Sequence, residues 1–353
     1  MKVIVVGAGI AGLAAAWELV RGDCEVTVLE SERRAGGVIV TEEIDGFVVE
    51  GGPDGFLAGE TDLPELAGEL GIGGRVVEQQ ARGTSLWNGK TLAPVEEGRA
   101  AALLGIEAKT AGVAAGFRTF AAGMSEPVAA LTRRLGGALR FAQGVAGLMR
   151  EGGSWRIAVT GGSAHEADAV VLALPAYAAG RLLEAVGVTR ARHLAEVLYA
   201  PSVTVSLAYR SDQVGELIGA GFVVDPGQES APLRLRACTF SSAKFPARAP
   251  AGHALLRAYL APGDGDPGSA AHAQLAAILK LRGEPLWSRV FHWSRGLPRY
   301  HSTQRHHLAD VRHRLQRFPP IAIAGAGYDG AGISACVRSG REAARLITRW
   351  TAR

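Results

Sequence analysis

The 353-residue chain is 48% hydrophobic and 20% charged, an ordinary globular composition that excludes a disordered protein, and its length exceeds the usual single core, so two domains are expected. Its net charge of +4 comes largely from scattered arginines, which suits an anionic small molecule or weak attraction to an acidic membrane and argues against nucleic acid, which wants a clustered basic stripe. Cys24, Cys238 and Cys336 lie far apart without C-x-x-C spacing, so neither a disulfide framework nor a zinc site is indicated, and a reducing cytoplasm is the simplest home.

The chain opens on Val3-Ile4-Val5-Val6, an apolar β-branched run that reads as a strand buried on both faces. The turn Gly7-Ala8-Gly9-Ile10-Ala11-Gly12 is G-x-G-x-x-G and leads into an Ala- and Leu-rich helix. Its first glycine permits the tight turn, the second lets backbone approach a pyrophosphate, and the third lets helix pack on strand. The helix start offers unpaired N–H groups to a phosphate. A second strand, Val26 to Leu29, ends at Glu30, eighteen residues beyond Gly12, where a carboxylate can accept ribose hydroxyls. The apolar N-terminus superficially imitates a secretion signal, but the glycine fingerprint and Glu18 favour a buried strand and helix; no other stretch is apolar enough to span a membrane.

Arg33-Arg34-Ala35-Gly36-Gly37-Val38 follows the fingerprint closely, so its glycines are read as a second backbone approach to the pyrophosphate, with a guanidinium neutralising phosphate charge. A strand pair then leads to Gly52-Pro53-Asp54-Gly55. A helix is expected over residues 60–72, a hairpin turning at Asn88-Gly89, an Ala/Gly-rich junction from Gly98 to Gly116 with little periodicity, and a helix opening near Ser125-Glu126-Pro127, with Ser125 as its cap. Short strands follow near residues 139–148, 155–159 and 169–174, then a mainly β segment: 203–209, 221–224, 233–240 and 254–259. The aspartates of Pro262-Gly263-Asp264-Gly265-Asp266 read as a solvated turn rather than a calcium loop, and His301, His306, His307 and His313 as a polar helix surface rather than a metal site.

The tail repeats the opening: the strand Ile321-Ala322-Ile323, a glycine-rich loop through Ala331-Gly332-Ile333, and a long amphipathic helix. This second helix start is placed at the far end of the same cofactor, where backbone N–H groups stabilise negative charge on a reduced flavin; a nicotinamide has no use for it, so FAD is preferred over NAD.

With both ends in view, the chain resembles the oxygen-dependent, HemY-type protoporphyrinogen oxidases of the flavin-containing amine oxidase superfamily. Gly52 to Leu57 is similar to that family's G-P-D-S-F-L turn, and Phe117 to Met124 to its F-x-T-L-x-x-G-L segment. Ala237 to Pro246, Leu255 to Tyr259 and Leu297 to Tyr300 resemble its substrate-domain stretches, and the tail resembles G-x-G-I-P-D-C-V-x-S-G-R, with Ser334-Ala335 in place of Pro-Asp. The resemblance implies an α/β, two-domain flavoprotein. Residues 1–58, 117–180 and 317–353 would form a Rossmann-like FAD domain, and 59–97 with 181–316 an α+β substrate domain holding an antiparallel sheet. Residues 98–116 would be a short junction where relatives carry a helical, membrane-binding lobe, so membrane association is weak or lost. The implied FAD contacts are Gly7, Ala8, Gly9, Ile10, Ala11, Gly12, Glu30, Ser31, Arg34, Val38, Gly52, Pro53, Asp54, Gly55, Val145, Trp293, Ala331, Gly332 and Ile333, beside Gly36 and Gly37 from the second glycine loop.

The implied activity is oxidation of protoporphyrinogen IX or coproporphyrinogen III to the porphyrin in heme biosynthesis, by hydride transfer to flavin N5, with O2 reduced to H2O2. No catalytic acid, base or metal is expected, because the cofactor carries the redox step. Phe222, Phe240 and Phe245 are candidates to lie against the macrocycle, with core packing as the competing role. Arg82 is a candidate for a propionate, with a solvated arginine equally open. Two alternatives remain: a flavin oxidase or desaturase of an amine or isoprenoid, and an FAD- and porphyrin-binding protein with little turnover. A homodimer is compatible with either.

Overall fold

A parallel sheet carries the molecule. Lys2–Val6 pairs with Glu25–Leu29 on one side and Ala169–Leu172 on the other; Leu139–Arg140 and Ile321–Ile323 complete it. The computed structural model describes residues 1–104, 112, 113, 115–228 and 234–351. Val3, Ile4 and Val5 are fully buried because both faces are covered, as parallel sheets require. On one face lie the N-terminal helix Ile10–Arg21, the helices Asp62–Glu69 and Glu126–Leu135, and the C-terminal helix Ile333–Thr351. Against the other pack Ala176–Ala185, Arg192–Ala195, Gln304–Leu315 and a small antiparallel sheet of Val145–Glu151, Ser154–Val159 and Ala164–Ala167.

The N- and C-terminal helices run parallel and touch backbone to backbone. A Cβ on Gly340 would stand 2.0 Å from the Ala11 carbonyl, Arg345 Nε donates to Glu18 at 3.0 Å, and a Cβ on Gly22 would stand 3.8 Å from Thr348. Ascending residue numbers on one helix thus meet ascending numbers on the other. Both N-termini point the same way, and the C-terminal helix begins seven residues before Gly340, about 10 Å ahead of the N-terminal helix start.

A seven-stranded sheet lies beside this layer, in the order Trp287–Pro298, Tyr199–Arg210, His253–Leu260, Leu235–Phe240, Gly221–Val224, Thr84–Trp87, Leu92–Val95. It is antiparallel except where Gly221–Val224 runs alongside Thr84–Trp87. One face buries the helix Pro267–Leu279; the other meets the hairpin Thr41–Ile44/Phe47–Glu50 through Phe47, Val49, Leu255 and Phe291.

Several expectations are corrected. The edge strand Trp287–Pro298 and the helix Pro267–Leu279 are absent from the sequence reading. The strand has Arg289, His292 and Arg295 spread along it, and an edge strand with wet positions on both faces shows no alternation. Asp266, read as part of a solvated turn, is the N-cap of that helix, its carboxylate accepting the Ser269 N–H at 2.7 Å. Ser125 does not cap its helix: its hydroxyl accepts the Thr41 N–H at 2.9 Å, joining segments far apart in sequence. The junction from Gly98 to Gly116 contains a helix, Glu97–Leu103, whose Ala100 packs on Val223 and Ala237. Residues 105–111 and 114 of that junction, and the expected strand start at Leu233, lie outside the described residues.

Some segments expected in the substrate domain pack against the parallel-sheet layer. Asp62–Glu69 buries Leu63, Leu66 and Ala67 beside the N- and C-terminal helices, while Arg192–Ala195 and Gln304–Leu315 pack on the parallel sheet. Core burial rather than chain order assigns these segments.

Because Gly340 leaves no room for a methyl group, Gly340→Ala is expected to cost about 1–3 kcal/mol by forcing the paired helices apart. Gly68→Ala, in the helix Asp62–Glu69 with nothing within 4 Å of its added Cβ, is expected to stabilise by about 0.5–1 kcal/mol. Thermal melting of both variants checks the pair; equal shifts would contradict the packing described.

Candidate functional site

The first glycine turn is built by contacts that admit no side chain. Gly7 has φ +101° and donates its N–H to Leu29 O at 2.7 Å, and a Cβ on Gly12 would lie 1.9 Å from Gly7 O. A Cβ on Gly9, by contrast, would meet nothing within 4 Å, so the first-turn N–H groups of the helix open onto free space. Glu30 stands at the end of the second strand, 8% exposed; its Oε2 accepts the Ala8 N–H at 2.7 Å, and its Oε1 accepts the Glu32 N–H at 2.8 Å and the Ser31 hydroxyl at 3.1 Å.

Beside this carboxylate is a cavity of about 350 Å³, walled by Gly7, Leu29, Glu30 and Ser31 on one side and Gln143, Gly144 and Val145 on the other, with Leu174, Ala178, Arg181 and Leu182 completing it. A carboxylate beside apolar walls is the chemistry a nucleoside needs, ribose hydroxyls on the acid and base between aliphatic side chains. The structure thus brings Gly7, Glu30, Ser31 and Val145 to one cavity. Gln143, Leu174, Ala178 and Arg181 are singled out by no local pattern, since they arrive from separate elements.

The second glycine loop lies on the first. The Gly36 N–H donates to Ala8 O at 2.8 Å, Gly9 and Gly36 form an isolated β-bridge, and a Cβ on Gly37 would meet Gly9 Cα at 3.5 Å. The Arg34 guanidinium, the candidate phosphate neutraliser, donates to the carbonyls of Ala35, Ile39 and Gly37 at 3.1, 3.3 and 2.6 Å. Positive φ at Gly36 and Gly37 turns those carbonyls toward it, so Arg34 shapes the loop. Val38 is 45% exposed, and its carbonyl would meet a Cβ on Gly52 at 1.8 Å, which docks the Gly51–Gly55 turn on this loop.

That turn is held from the seven-stranded sheet. Trp293 Nε1 donates to Gly51 O at 2.7 Å, Arg257 Nη2 reaches the same oxygen at 3.3 Å, and Lys244 Nζ pairs with Asp54 at 3.0 Å. Behind it Arg248 pairs with Glu50 at 3.2 Å and donates to Thr119 Oγ1 at 2.6 Å, while Glu50 also accepts from Met124 N–H and Thr41 Oγ1. Burial by itself would raise the Asp54 carboxyl; Lys244, Arg257 and Arg248 together outweigh it and hold the group below its ordinary value. Glu50, Lys244, Arg248 and Arg257 were missed from sequence. The readable signal was an arginine at an inward position of Leu255-Leu256-Arg257-Ala258-Tyr259.

On the substrate side, Phe222 and Phe240 sit inside the sheet's core at 1% and 2% exposure, facing the helix Pro267–Leu279, so both take the packing role rather than a surface a macrocycle reaches. Phe245 is 1% exposed and lies against Gly55, beneath Lys244 and Arg248. Arg82 is exposed, its guanidinium 3.2 Å from the Cβ position of Gly116, at the shortened junction. Among the described residues no cluster of His, Cys, Asp or Glu could hold a metal ion.

The arrangement matches known proteins along its length. Residues 5–70 match the NAD(P)-binding Rossmann-like domain, and residues 74–348 match the flavin containing amine oxidoreductases. The chain belongs to the flavin-containing amine oxidoreductases. It is 23% identical to the coproporphyrinogen III oxidase of Bacillus subtilis (strain 168), covering 97% of this chain and 96% of that protein, and 25% identical to that of Mycobacterium tuberculosis (strain ATCC 25618 / H37Rv), covering 98% and 96%. The former alignment is 463 positions long against a 353-residue chain, so many residues of that relative, more than loop variation supplies, have no counterpart here. Its fold is that of a crystal structure described as a protoporphyrinogen oxidase from Exiguobacterium sp. 255-15 (TM-score 0.84, 23% identity, 100% and 99% coverage) and of cyclohexylamine oxidase from Brevibacterium oxydans IH-35A (TM-score 0.77, 15% identity, 100% and 99% coverage). The protein is accordingly an FAD-dependent oxidoreductase.

The residues present suit that cofactor. Three glycine turns pack backbone to backbone from Gly9 through Gly36 to Gly52, leaving the space before Gly9 open, and two parallel helix starts about 10 Å apart face one edge of the sheet.

Asp54 has a depressed carboxyl, so its contribution to stability is present above the unfolded value of about 3.9 and is lost as pH falls through the lower folded value. Asp54→Asn is therefore expected to lower the melting temperature clearly at pH 7 and progressively less as the pH falls below about 3.9. A gap that stays constant across that range would show that Asp54 contributes nothing through its charge.

Proposed function

We propose that this oxidoreductase converts a porphyrinogen, protoporphyrinogen IX or coproporphyrinogen III, to the porphyrin, with O2 as final electron acceptor. The observation that carries the reading is the pair of parallel helix starts facing one sheet edge, joined by the end-to-end similarity to coproporphyrinogen III oxidases. Bound FAD would supply a two-electron hydride acceptor that O2 can reoxidise.

The chain's own part is to hold and to exclude. The N–H groups at Gly9 to Gly12 bind pyrophosphate, Glu30 and Ser31 the ribose, and Val145 closes over the adenine side. Gly36, Gly37 and Val38 line the middle of the cofactor. Gly52, Pro53, Asp54 and Gly55, Trp293, and the helix start at Ala331, Gly332 and Ile333 bear the flavin ring. Glu30 already accepts two backbone N–H groups, so its carboxylate is oriented before any ligand arrives. The seven-stranded sheet supplies one dry wall, and Arg82 is the guanidinium proposed for a propionate, a reading supported only by its exposure beside Gly116. Aromatisation drives the reaction, so the protein needs no proton relay, only a bridge carbon held about 3–3.5 Å from the acceptor in a water-poor slot.

At the junction following the hairpin of Asn88-Gly89 this chain has the helix Glu97–Leu103 across Val223, Ala237 and Leu86. We place the missing lobe at this junction, which leaves the slot more open and removes the membrane dock. No helix among the described residues is long and apolar enough to cross a membrane. A cytoplasmic protein, peripheral at most, and a homodimer belong to the same proposal.

Anaerobic mixing of the FAD-loaded protein with a porphyrinogen is expected to bleach the flavin, while a polyamine and a carotenoid precursor leave it yellow; peroxide should appear on admitting O2, with enzyme-free and FAD-free controls subtracting spontaneous oxidation. Bleaching by the polyamine alone would replace this substrate class with an amine. Separately, Glu30→Ala is expected to weaken FAD retention at least tenfold, about 1.4 kcal/mol, measured by flavin released on dialysis. Unchanged retention would remove Glu30 from the cofactor site.

A further inference from the structure

Beneath the Gly51–Gly55 turn are three cations, Lys244, Arg248 and Arg257, and two carboxylates, Glu50 and Asp54. Lys244 is paired with Asp54 at 3.0 Å and Arg248 with Glu50 at 3.2 Å. Arg257 has no carboxylate within 4.0 Å among the described residues. Its only polar contacts are the Gly51 carbonyl at 3.3 Å and Thr204 Oγ1 at 3.5 Å, its Nε has no partner, and it is 3% exposed. In register across the sheet its neighbours are Ser206 and Thr239, both neutral, and its guanidinium lies over the Tyr259 ring at 5.1 Å. Asp54 and Glu50 attract Arg257 from beyond ion-pair distance, but each is already paired with another cation, so the cluster of three cations and two carboxylates keeps one positive charge in excess, which is costly to bury unless something anionic meets it.

The position says what that anion is. Arg257 and Trp293 donate to the same carbonyl, that of Gly51, at the head of a turn that packs through Val38 onto the glycine loop and the G-x-G-x-x-G turn. Resting on the flavoprotein reading above, the anion that meets this face is the cofactor in its reduced state. When the substrate's C–H bond gives up a hydride, the substrate is oxidised by two electrons and sheds a proton to solvent. The isoalloxazine takes up the hydride and with it one negative charge. We propose that Arg257 supplies the counter-charge for that reduced flavin and so raises its reduction potential. The low dielectric around a 3%-exposed group makes the interaction stronger than it is in water.

The test uses the FAD-loaded full chain, as wild type, Arg257→Met and Arg257→Lys, with the flavin midpoint potential measured against a reference dye in the absence of substrate. Arg257→Met is expected to lower the reduced-to-oxidised ratio at fixed potential at least tenfold, about 30 mV for a two-electron couple, and Arg257→Lys to restore most of it. Apo-Arg257→Met is expected to stay folded, because Asp54 keeps its pair with Lys244 and Glu50 its pair with Arg248. An unchanged potential with FAD bound overturns the inference. A raised KM for the porphyrinogen at unchanged potential overturns it in favour of a substrate carboxylate as the partner of Arg257. A wild type that binds no FAD defeats the flavoprotein reading itself, an outcome separate from either.

Discussion

The contact on which the architecture depends is the seating of Gly340 on the Ala11 carbonyl. Two parallel helices can approach backbone to backbone only where one of them lacks a side chain, and that approach fixes the relative height of their N-termini. The N-terminal helix then presents its positive end after the first strand, and the C-terminal helix presents its own about 10 Å further along the same edge. Arg341 and Arg345, both facing Glu18, hold the pair along its length, and Arg341 also reaches Glu69, which ties in the helix Asp62–Glu69. On the proposed placement of the cofactor, its anionic middle and the ring that becomes anionic on reduction would each meet one helix start of this unit.

The second constraint is the buried charge cluster joining the two sheets. Glu50 and Asp54 come from the hairpin and turn next to the glycine loops; Lys244, Arg248 and Arg257 come from the seven-stranded sheet and the segment leading out of it. Ion pairs of this kind add little net stability, because desolvation offsets their attraction, but they are intolerant of misalignment. Such pairs fix the turn bearing Gly52 and Gly55 against the sheet more narrowly than apolar contacts would. Phe245 fills the space between Gly55 and the cations, giving the cluster its dry surroundings.

The face of the seven-stranded sheet toward the cofactor layer is partly roofed by the short helix Glu97–Leu103, anchored by Ala100 and by the Thr84 hydroxyl on Glu97 at 3.0 Å. A chain shorter than its relatives has thus kept a cover over Val223 and Ala237, two apolar residues that would otherwise meet water. Arg82 stands exposed at that end of the sheet.

The sequence by itself determined the features that depend on local backbone chemistry. Gly7, Gly12, Gly36 and Gly52 stand where no Cβ fits, Val3 to Val6 are apolar without alternation because both sheet faces are covered, and Glu30 follows its strand at the expected distance. Such signals are carried by residues within a few turns of one another, so a linear reading finds them. Tertiary structure alone decided the rest: that the Arg34 guanidinium donates to carbonyls of its own loop, that Phe222 and Phe240 are buried in the core beside the helix Pro267–Leu279, and that Arg257 is buried on the Gly51 carbonyl with no ion pair within 4.0 Å among the described residues. Which face of a strand a side chain takes, and which charges meet across 100 or more residues of chain, is settled by how the sheets pack on each other, and no local pattern of residues encodes it.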